Sequence, residues 1–343
     1  MSVVVECADP PVAAGVSRGL PIQTVRAADL SYRRFLADYV HRNRPVVVTG
    51  AITEWPALRK WTPAYFKERF GPKPVAVSYQ ETMPFDQFID GVMASDEAHP
   101  GPYMFRLFLH ENLPEALADV IPQNVYAFPR RYASPLMRAQ WRRPDGYLKL
   151  LIGGVGSKFP VLHYDGDNAH ATITEVYGDK EFVMYPPEDG ALLYPNPKQP
   201  NRSLVDDPNT PDLGRFPLVA RARRHRAVLR PGDMVFVPSR WWHTARPLTP
   251  SVSVCMNILD GSNWAGFVHE TCVDAGRQSA LKALVYRVYL TSLGGALSTV
   301  EWLQEHAPRV ARSLVLPVWM GPASAAFACE PSARQLKITV PTA

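Results

Sequence analysis

Short apolar and alternating runs, separated by turn residues, dominate the second half of the chain. The runs are KLLIGG, ATITEVY, EFVMYP, HRAVLR, MVFVP and SVSVCMNIL, all of them after Tyr147. Alternation with a period of two is typical of strands that bury one face. Tight turns such as Gly178-Asp179 and Pro231-Gly232-Asp233 divide the runs. The pattern therefore predicts a mainly β domain built from short strands.

Helical patterns flank this β-rich region on both sides. Helices are predicted for Ser31 to Asn43, Thr62 to Gly71 and Glu111 to Val120, and strands for PVVVTG and Tyr103 to Leu109. Ser31 and Thr62 are suitable N-caps because their hydroxyls accept a bond from a free N–H of the first turn. After Trp264 the pattern is helical to about Leu293, is interrupted at Gly294-Gly295 and continues to about Ala307. We expect an N-terminal arm (1–22), a β domain (23–264) and a C-terminal helical region (265–343).

Composition places the chain among ordinary globular proteins. It has 343 residues, of which 46% are hydrophobic and 20% charged, and a net charge of +5. That charge mildly favours an acidic partner, but the basic run RARRHR lacks interleaved aromatics, so no nucleic-acid partner is predicted. No run of apolar residues reaches the ~20 that a membrane-spanning helix needs, so we expect no membrane span. The four cysteines show no CxxC spacing and the N-terminus no signal-peptide pattern, so we expect a cytoplasmic protein.

One spacing in the β-rich half predicts chemistry. His163 and Asp165 stand two residues apart, so in an extended chain both side chains lie on the same face. His243 follows much later, in RPGDMVFVPSRWWHTARP. Two imidazoles and one carboxylate form the triad that holds non-haem Fe(II) and leaves open coordination positions. An HxD pair alone is weak evidence, and a surface histidine beside a turn aspartate is its ordinary explanation.

Other polar residues occupy strand positions that predict an inward orientation. Lys180 shares a strand face with Phe182 and Met184, where a buried ammonium needs an anionic partner. That partner is either a bound anion or a neighbouring acidic side chain. In SVSVCMNIL, Ser253, Cys255 and Asn257 share one face, which favours a hydrated pocket. Arg246 competes with Lys180 for an anion, but its position three residues after His243 points it to the opposite face. We interpret His170 as a polar loop histidine.

Several of these blocks together resemble the JmjC family of cupin-like Fe(II)- and 2-oxoglutarate-dependent oxygenases, with the greatest likeness to its asparaginyl hydroxylases. The blocks are PVVVTGAITEWPALRKWTPAYF, LLIGGVGSKFPVLHYD, YGDKEFVMYPPEDGALLYPNP and RPGDMVFVPSRWWHTA, in the family's order. The resemblance implies a double-stranded β-helix, or jelly roll, with flanking N-terminal helices and a helical C-terminal extension. It also implies Fe(II), O2 and 2-oxoglutarate as co-substrate.

Individual residues follow from the same resemblance. His163, Asp165 and His243 match the iron ligands, and Lys180 matches the lysine that pairs with the distal carboxylate of 2-oxoglutarate. Asn257 and Asn168 fall where family members place asparagines near the metal and the co-substrate. Two positions depart from the pattern: Pro160 replaces a threonine, and Phe108 stands where a co-substrate tyrosine is expected.

The expected function is a hydroxylase that acts on a polypeptide or peptide side chain. The long connection from Pro186 to about Pro217 and the basic balance favour such a substrate, and a small molecule is the alternative. The basic residues Arg130, Arg131, Arg142 and Arg143 are candidates for contacts with an acidic peptide or an anionic metabolite. A metal cupin that does not use 2-oxoglutarate and a catalytically silent binding module remain open. By resemblance, the C-terminal helices predict a homodimer.

Overall fold

Two β-sheets face each other and enclose an apolar core. The structure, a computed structural model, describes residues 15–77, 81–134, 136–137 and 148–307. The strands are β1 (Leu20–Pro21), β2 (Thr24–Arg26), β3 (Val46–Thr49), β4 (Pro74–Ala76), β5 (Thr82–Pro84), β6 (Tyr103–Phe108), β7 (Lys149–Gly153), β8 (His170–Tyr177), β9 (Lys180–Tyr185), β10 (Pro195–Asn196), β11 (Gln199–Ser203), β12 (His225–Leu229), β13 (Met234–Val237), β14 (Trp242–Pro247) and β15 (Ser251–Ile258). The chain thus folds as the predicted jelly roll.

Strand order explains how distant segments meet. The larger sheet has the order β2-β3-β13-β8-β15-β7-β6 and the smaller one β1-β12-β9-β14. All neighbours in these sheets are antiparallel except the β1–β12 and β2–β3 pairs. The core between the sheets includes Ala171 and Ile173 of β8 and Phe182 and Met184 of β9. One face of each central strand is therefore inside the barrel, as the alternation predicts.

Helices cover the outer face of the larger sheet. They are α1 (Tyr32–Phe35), α2 (Ala57–Lys60), α3 (Pro63–Phe70), α4 (Phe85–Met93), α5 (Leu109–Asn112), α6 (Trp264–Gln278) and α7 (Ala280–His306). Phe66 of α3 and Phe88 of α4 belong to the apolar cluster of Leu150 and Val254. The second cluster joins α6 and α7 to Met256 and Ile258. Within the described ranges, no helix is both long and apolar enough to cross a bilayer.

The N-terminal predictions hold for both caps and for the helix from Thr62 to Gly71, and two other helices differ from their predicted form. The side chains of Ser31 and Thr62 accept bonds from the backbone N–H groups of Arg34 and Tyr65, as predicted. After Phe35, however, the helix continues as a π-helical segment, Leu36–Val40. The helix predicted for Glu111 to Val120 is instead α5 followed by a 3-10 helix, Pro114–Val120. Pro114 interrupts it, because proline has no N–H to continue the ladder.

The break predicted at Gly294-Gly295 is wrong. The chain turns at Ser279, whose backbone is extended and whose side chain caps α7 by accepting a bond from the N–H of Lys282. Helix α7 then runs unbroken through both glycines. Gly294 is needed for packing, since a Cβ there would lie 2.4 Å from Nε1 of Trp264. Part of the predicted N-terminal arm is also ordered, because Leu20 and Pro21 pair with β12.

Candidate functional site

Two of the three predicted ligands meet through backbone pairing. The N–H of His163 donates to the carbonyl of His243 at 3.1 Å, and the N–H of His243 donates to the carbonyl of His163 at 2.6 Å. Residues that exchange both bonds lie directly opposite each other in an antiparallel pair. Their rings therefore face the same space, with centroids 4.4 Å apart, although 80 positions separate them in the chain. β14, which carries His243, was missing from the sequence prediction.

Asp165 completes the group. Its Oδ1 lies 4.0 Å from Nε2 of His163, and its Oδ2 lies 3.7 Å from Nε2 of His243. One ligating atom from each of the three residues lies within 4.8 Å of the other two. This is the only cluster of at least three His, Cys, Asp or Glu residues with metal-binding geometry among the described residues. The spacing of the three atoms suits a single metal ion.

A hydrogen bond at Nδ1 orients each of the two imidazoles. Nδ1 of His163 lies 3.1 Å from the carbonyl of Val161, and Nδ1 of His243 lies 3.0 Å from the carbonyl of Trp241. A proton on Nδ1 satisfies each carbonyl, which leaves Nε2 with a lone pair directed at Asp165. Phe159 stacks on the ring of His163 at 4.6 Å and restricts its rotation. Both rings are thus held in the tautomer and orientation that ligation requires.

Electrostatics favours the protonation states of a ligand set. Burial, followed by the neighbouring His243, lowers the pKa of His163 to about 3, so its imidazole is neutral. Burial raises the pKa of Asp165, but His243, His163 and Lys149 together outweigh it, and the net pKa lies below the usual value. Neutral imidazole beside ionised carboxylate is the form that binds a divalent cation.

A pocket opens above the three residues. It contains about 560 Å³ of space free of protein atoms, open solvent included. Apart from the three clustered residues, its walls are largely apolar or aromatic, with a few polar groups. They are Tyr103, Phe105, Lys149, Leu151, Phe159, Ala171, Ile173, Phe182, Thr244, Ala245, Cys255 and Asn257. The predicted polar face of β15 therefore lies in the pocket, through Cys255 and Asn257.

Lys180 is fully buried on the inner face of β9, as its strand position predicts. Its Nζ donates to the hydroxyl of Ser253 and lies 3.7 Å from Oε2 of Glu175. The hydroxyl of Ser253 in turn donates to the same Glu175 oxygen at 2.8 Å. The sequence interpretation missed Glu175, although the run ATITEVY places it on the face of Ala171 and Ile173. An acidic side chain is thus the partner of Lys180 in the structure.

Tyr103 corrects the expectation about Phe108. Phe108 is absent from the pocket walls, whereas Tyr103, five residues earlier on β6, lines the pocket. The ammonium of Lys180 lies 5.6 Å from the ring centre of Tyr103. Burial, together with the charge of Glu175, raises the pKa of Tyr103, so its hydroxyl stays a hydrogen-bond donor. A tyrosine beside Lys180 is therefore present, and its signal was the alternation of Tyr103 and Phe105.

The two predicted asparagines have different surroundings. Asn257 lines the pocket, bonds to the carboxylate of Asp165 and accepts a bond from Nζ of Lys149 at 2.6 Å. Asn168 lies outside the pocket walls, and its side chain donates to the carbonyl of Asn263 at 3.0 Å. The structure does not bring Asn168 to the pocket, where the co-substrate was expected. Its hydrogen bond instead connects the loop after Asp165 to the start of α6.

Other candidates serve the fold. Arg131 is fully buried and binds Glu301 of α7 through two nitrogens, so it is no substrate contact. Arg246 points away from the pocket and binds Glu181 at 2.6 Å, which confirms its predicted orientation. His170, expected in a loop, is a buried residue at the start of β8 and accepts a bond from the N–H of Ser239. Arg142 and Arg143 lie outside the described residues, and Pro160 is exposed at the surface.

The long connection after β9 contributes to this end of the barrel. It contains a 3-10 helix, Pro187–Leu193, and the hairpin of β10 and β11. The N–H of Tyr164 donates to the carbonyl of Asn201, and the N–H of Ser203 donates to the carbonyl of Leu162. β11 therefore pairs along the segment that carries His163, beside the clustered residues.

Comparisons with known proteins agree with this geometry. Residues 32–259 match the family model described as the cupin-like domain. The chain is 29% identical over 249 residues to tRNA wybutosine-synthesizing protein 5 of Danio rerio, covering 66% of this chain and 72% of that protein. It is 28% identical over 238 residues to lysine-specific demethylase 8 of Danio rerio (65% and 55%). It is 27% identical over 248 residues to the bifunctional peptidase and (3S)-lysyl hydroxylase JMJD7 of Homo sapiens (61% and 75%). The chain therefore belongs to the cupin-like JmjC family of Fe(II)- and 2-oxoglutarate-dependent oxygenases.

Proposed function

We propose that this protein is an Fe(II)- and 2-oxoglutarate-dependent dioxygenase that hydroxylates a polypeptide or peptide side chain. The observation that carries the proposal is the cluster of His163, Asp165 and His243 at a pocket whose wall includes Tyr103, the ring next to the buried Lys180. Family membership supplies the reaction class, because JmjC members use Fe(II) and 2-oxoglutarate. Bound Fe(II), with O2 and 2-oxoglutarate, supplies oxidation of a substrate C–H bond as 2-oxoglutarate becomes succinate and CO2.

The residues present fit a divalent metal. Two Nε2 atoms and one carboxylate match the donor set that Fe(II) prefers, and they occupy one side of the site only. The remaining side faces the pocket, where a 2-oxo acid and substrate have access. In this proposal His163, Asp165 and His243 are the ligands, and Asn257 orients Asp165 through its hydrogen bond. Phe159 and the carbonyls of Val161 and Trp241 hold the imidazoles.

The polar group around Lys180, next to Tyr103 of the pocket wall, fits a carboxylate. Lys180 supplies the cation, and Tyr103 and Ser253 add hydroxyl groups next to it. In this proposal these three groups bind the distal carboxylate of 2-oxoglutarate. The hydroxyls of Tyr103 and Ser253 take the place of the threonine and tyrosine expected at Pro160 and Phe108. Apolar walls such as Leu151 and Phe182 exclude water from the carbon chain.

The proposed substrate class rests on the relatives and on the mouth of the barrel. The relatives include a demethylase and a hydroxylase of lysine and a protein of tRNA modification. In this proposal an extended peptide lies across the barrel mouth beside β11, with its main chain bonded to loop groups. A small molecule is the alternative, and an RNA substrate is a further outcome of the test.

A spectroscopic titration tests the reaction class. Anaerobic protein with Fe(II) should develop a visible metal-to-ligand absorption band when 2-oxoglutarate is added, and His243→Ala should develop none. Incubation of active enzyme with cell peptides, metabolite extract or tRNA should then give a mass gain of one oxygen in the peptide arm only. Oxygen gain in another arm, with succinate release following it, would replace the polypeptide substrate.

One observation favours a second function, a metal cupin that does not use 2-oxoglutarate. The carboxylate of Glu175 already neutralises the charge of Lys180. The pair therefore attracts an anion less strongly than an isolated lysine would. Metal binding with no absorption band and no succinate formation would support this second function.

A further inference from the structure

Glu175 is a buried acid that the proposed reaction does not use. Its side chain is fully buried on the inner face of β8, directly opposite Ser253 in the pairing of β8 with β15. Oε2 accepts a bond from Ser253 and lies 3.7 Å from the ammonium of Lys180. Oε1 is buried without a hydrogen-bond partner in the described part of the chain. A buried carboxylate oxygen with no donor is costly, because nothing replaces the water it has lost.

The tight connection between the two sheets places this acid next to Lys180. Gly178 has a φ of 76°, and a Cβ there would lie 2.1 Å from the carbonyl oxygen of Pro250. Only glycine fits this tight turn, at which the chain crosses from β8 in the larger sheet to β9 in the smaller one. Glu175 and Lys180, only five residues apart, consequently face each other across the inner end of the barrel.

The charge of the pair depends on its protons. With both sites protonated the pair carries +1, and after the loss of one proton it is neutral, whichever partner holds the remaining proton. Burial disfavours both charged forms. Burial raises the pKa of Glu175 to about 7, although Lys180 and Ser253 oppose the rise. Burial also lowers the pKa of Lys180, although Glu175 opposes the fall.

Other titratable groups among the described residues lie close to the pair. The groups that face the pair are the phenol of Tyr103 from β6, the thiol of Cys255 from β15 and the carboxylate of Asp179 from the turn. Burial raises the pKa of Tyr103, and it raises the pKa of Cys255 to about 11, so both stay protonated. From β13, Val235 contributes an apolar side chain. The carbonyl of Asp233, immediately before the same strand, accepts a bond from the N–H of Glu175, and the carboxylate of Asp233 accepts one from the N–H of Arg230.

We propose that the Glu175–Lys180 pair takes up one proton when a 2-oxo dicarboxylate binds, so that Glu175 makes co-substrate affinity depend on pH. The inference rests on the proposed function. An incoming distal carboxylate needs a net positive partner, and the pair supplies one only in its doubly protonated form. Protonation also removes the negative charge from Glu175, so that Oε1 is no longer a charged oxygen without a hydrogen-bond donor. The new hydroxyl group can itself donate a hydrogen bond. Affinity for 2-oxoglutarate therefore falls as pH rises above the apparent pKa of the pair.

Calorimetry on Mn(II)-loaded protein tests this proton linkage. Titration with 2-oxoglutarate at pH 8, in two buffers of different ionisation enthalpy, should show uptake of about one proton by the wild type. From pH 7.5 to 8.5 its dissociation constant should rise about tenfold. Glu175→Gln should take up none and bind about 30-fold more tightly than the wild type at pH 8.5. Glu270→Gln, which removes another partly buried acid outside the pocket, should behave as the wild type.

A second ligand makes the test independent of the variants. 2-Oxopentanoate has the same carbon chain without the distal carboxylate, so its weaker binding should show no proton uptake in the wild type. Equal proton uptake for both ligands, or an equal pH slope in Glu175→Gln, overturns the role of Glu175 and leaves the proposed function standing. Failure of 2-oxoglutarate to bind Mn(II)-loaded protein at any pH overturns both.

Discussion

At the residue scale, the candidate site depends on a few side chains whose partners are already in place. Each imidazole has a backbone carbonyl on Nδ1, and Asp165 has Asn257. Preorganised ligands lose little conformational entropy when the metal binds, so truncation of any one of the three should have a large effect.

Substitution of the clustered residues is the first prediction. His163→Ala, Asp165→Ala and His243→Ala should each abolish succinate formation and weaken Mn(II) binding by at least ~10-fold, because three ligands become two. His99→Ala, an exposed histidine outside the pocket, is the matched control and should retain both properties. Isothermal titration and a succinate assay measure the two effects. Turnover retained in one ligand variant would remove that residue from the set.

Substitution of Lys180 is the second prediction. Loss of one partner of a buried charge pair costs on the order of 3–5 kcal/mol, so Lys180→Ala should weaken 2-oxoglutarate binding by about two orders of magnitude or more. Mn(II) affinity should stay nearly unchanged, because Lys180 has no contact with the three clustered residues.

Two variants control this prediction. Lys180→Ala alone leaves the buried carboxylate of Glu175 without its cation. The double variant Lys180→Ala with Glu175→Gln removes that carboxylate too, so it measures the loss of the cation by itself. Lys149→Ala removes the other lysine of the pocket and should affect 2-oxoglutarate less than Lys180→Ala does. The reverse order of effects would assign the carboxylate to Lys149.

At the element scale, α6 and α7 form a hairpin that packs against the larger sheet. The indole N–H of Trp264 donates to the carbonyl of Leu290, and the same ring lies against Gly294. The two neighbouring glycines of α7 therefore have opposite environments, since a Cβ on Gly295 would meet no atom within 4 Å.

Alanine at each glycine is the third prediction. Gly294→Ala should lower the free energy of unfolding by roughly 1–3 kcal/mol, because the added methyl group overlaps the Trp264 ring. Gly295→Ala should raise it by roughly 0.5–1 kcal/mol, because alanine favours the helix at an open position. Urea unfolding followed by circular dichroism measures both. A similar change in the two variants would contradict the contact between Gly294 and Trp264.

At the scale of the whole molecule, α7 leaves an apolar face uncovered within the described residues. Leu281, Leu284, Val285 and Val288 are 53–70% exposed, and Trp302 is 57% exposed. Continuous exposed apolar surface is typical of protein interfaces. The homodimer stays a prediction, now located on this helix.

A homodimer in solution is the fourth prediction. Light scattering at micromolar concentration should give about twice the 38.2 kDa of one chain. Val285→Glu with Val288→Glu should yield monomers, because the interface cannot bury two unpaired carboxylates. Met93→Glu, at an exposed apolar residue of α4, should remain dimeric. A monomeric wild type would show that this face has another role.

Much of the barrel followed from local pattern. Alternation in SVSVCMNIL correctly separated the pocket face of Cys255 and Asn257 from the outer face of Met256 and Ile258, because strand geometry fixes side-chain direction residue by residue. The same rule placed Lys180 inside and Arg246 outside. The His163-x-Asp165 spacing needed only an extended chain to bring both side chains to one face.

Tertiary structure alone decided which inward residues touch. Glu175 and Lys180 meet because the chain crosses between sheets at Gly178, and Tyr103 approaches Lys180 because β6 lies at the end of the larger sheet. The family resemblance predicts Asn168 near the co-substrate, and its charge makes Arg131 a candidate substrate contact, yet the packing of α6 and α7 gives both of them structural partners. Local sequence determines the face on which a side chain lies. The pairing of distant strands and the docking of helices determine its neighbours, because those contacts depend on segments far apart in the chain.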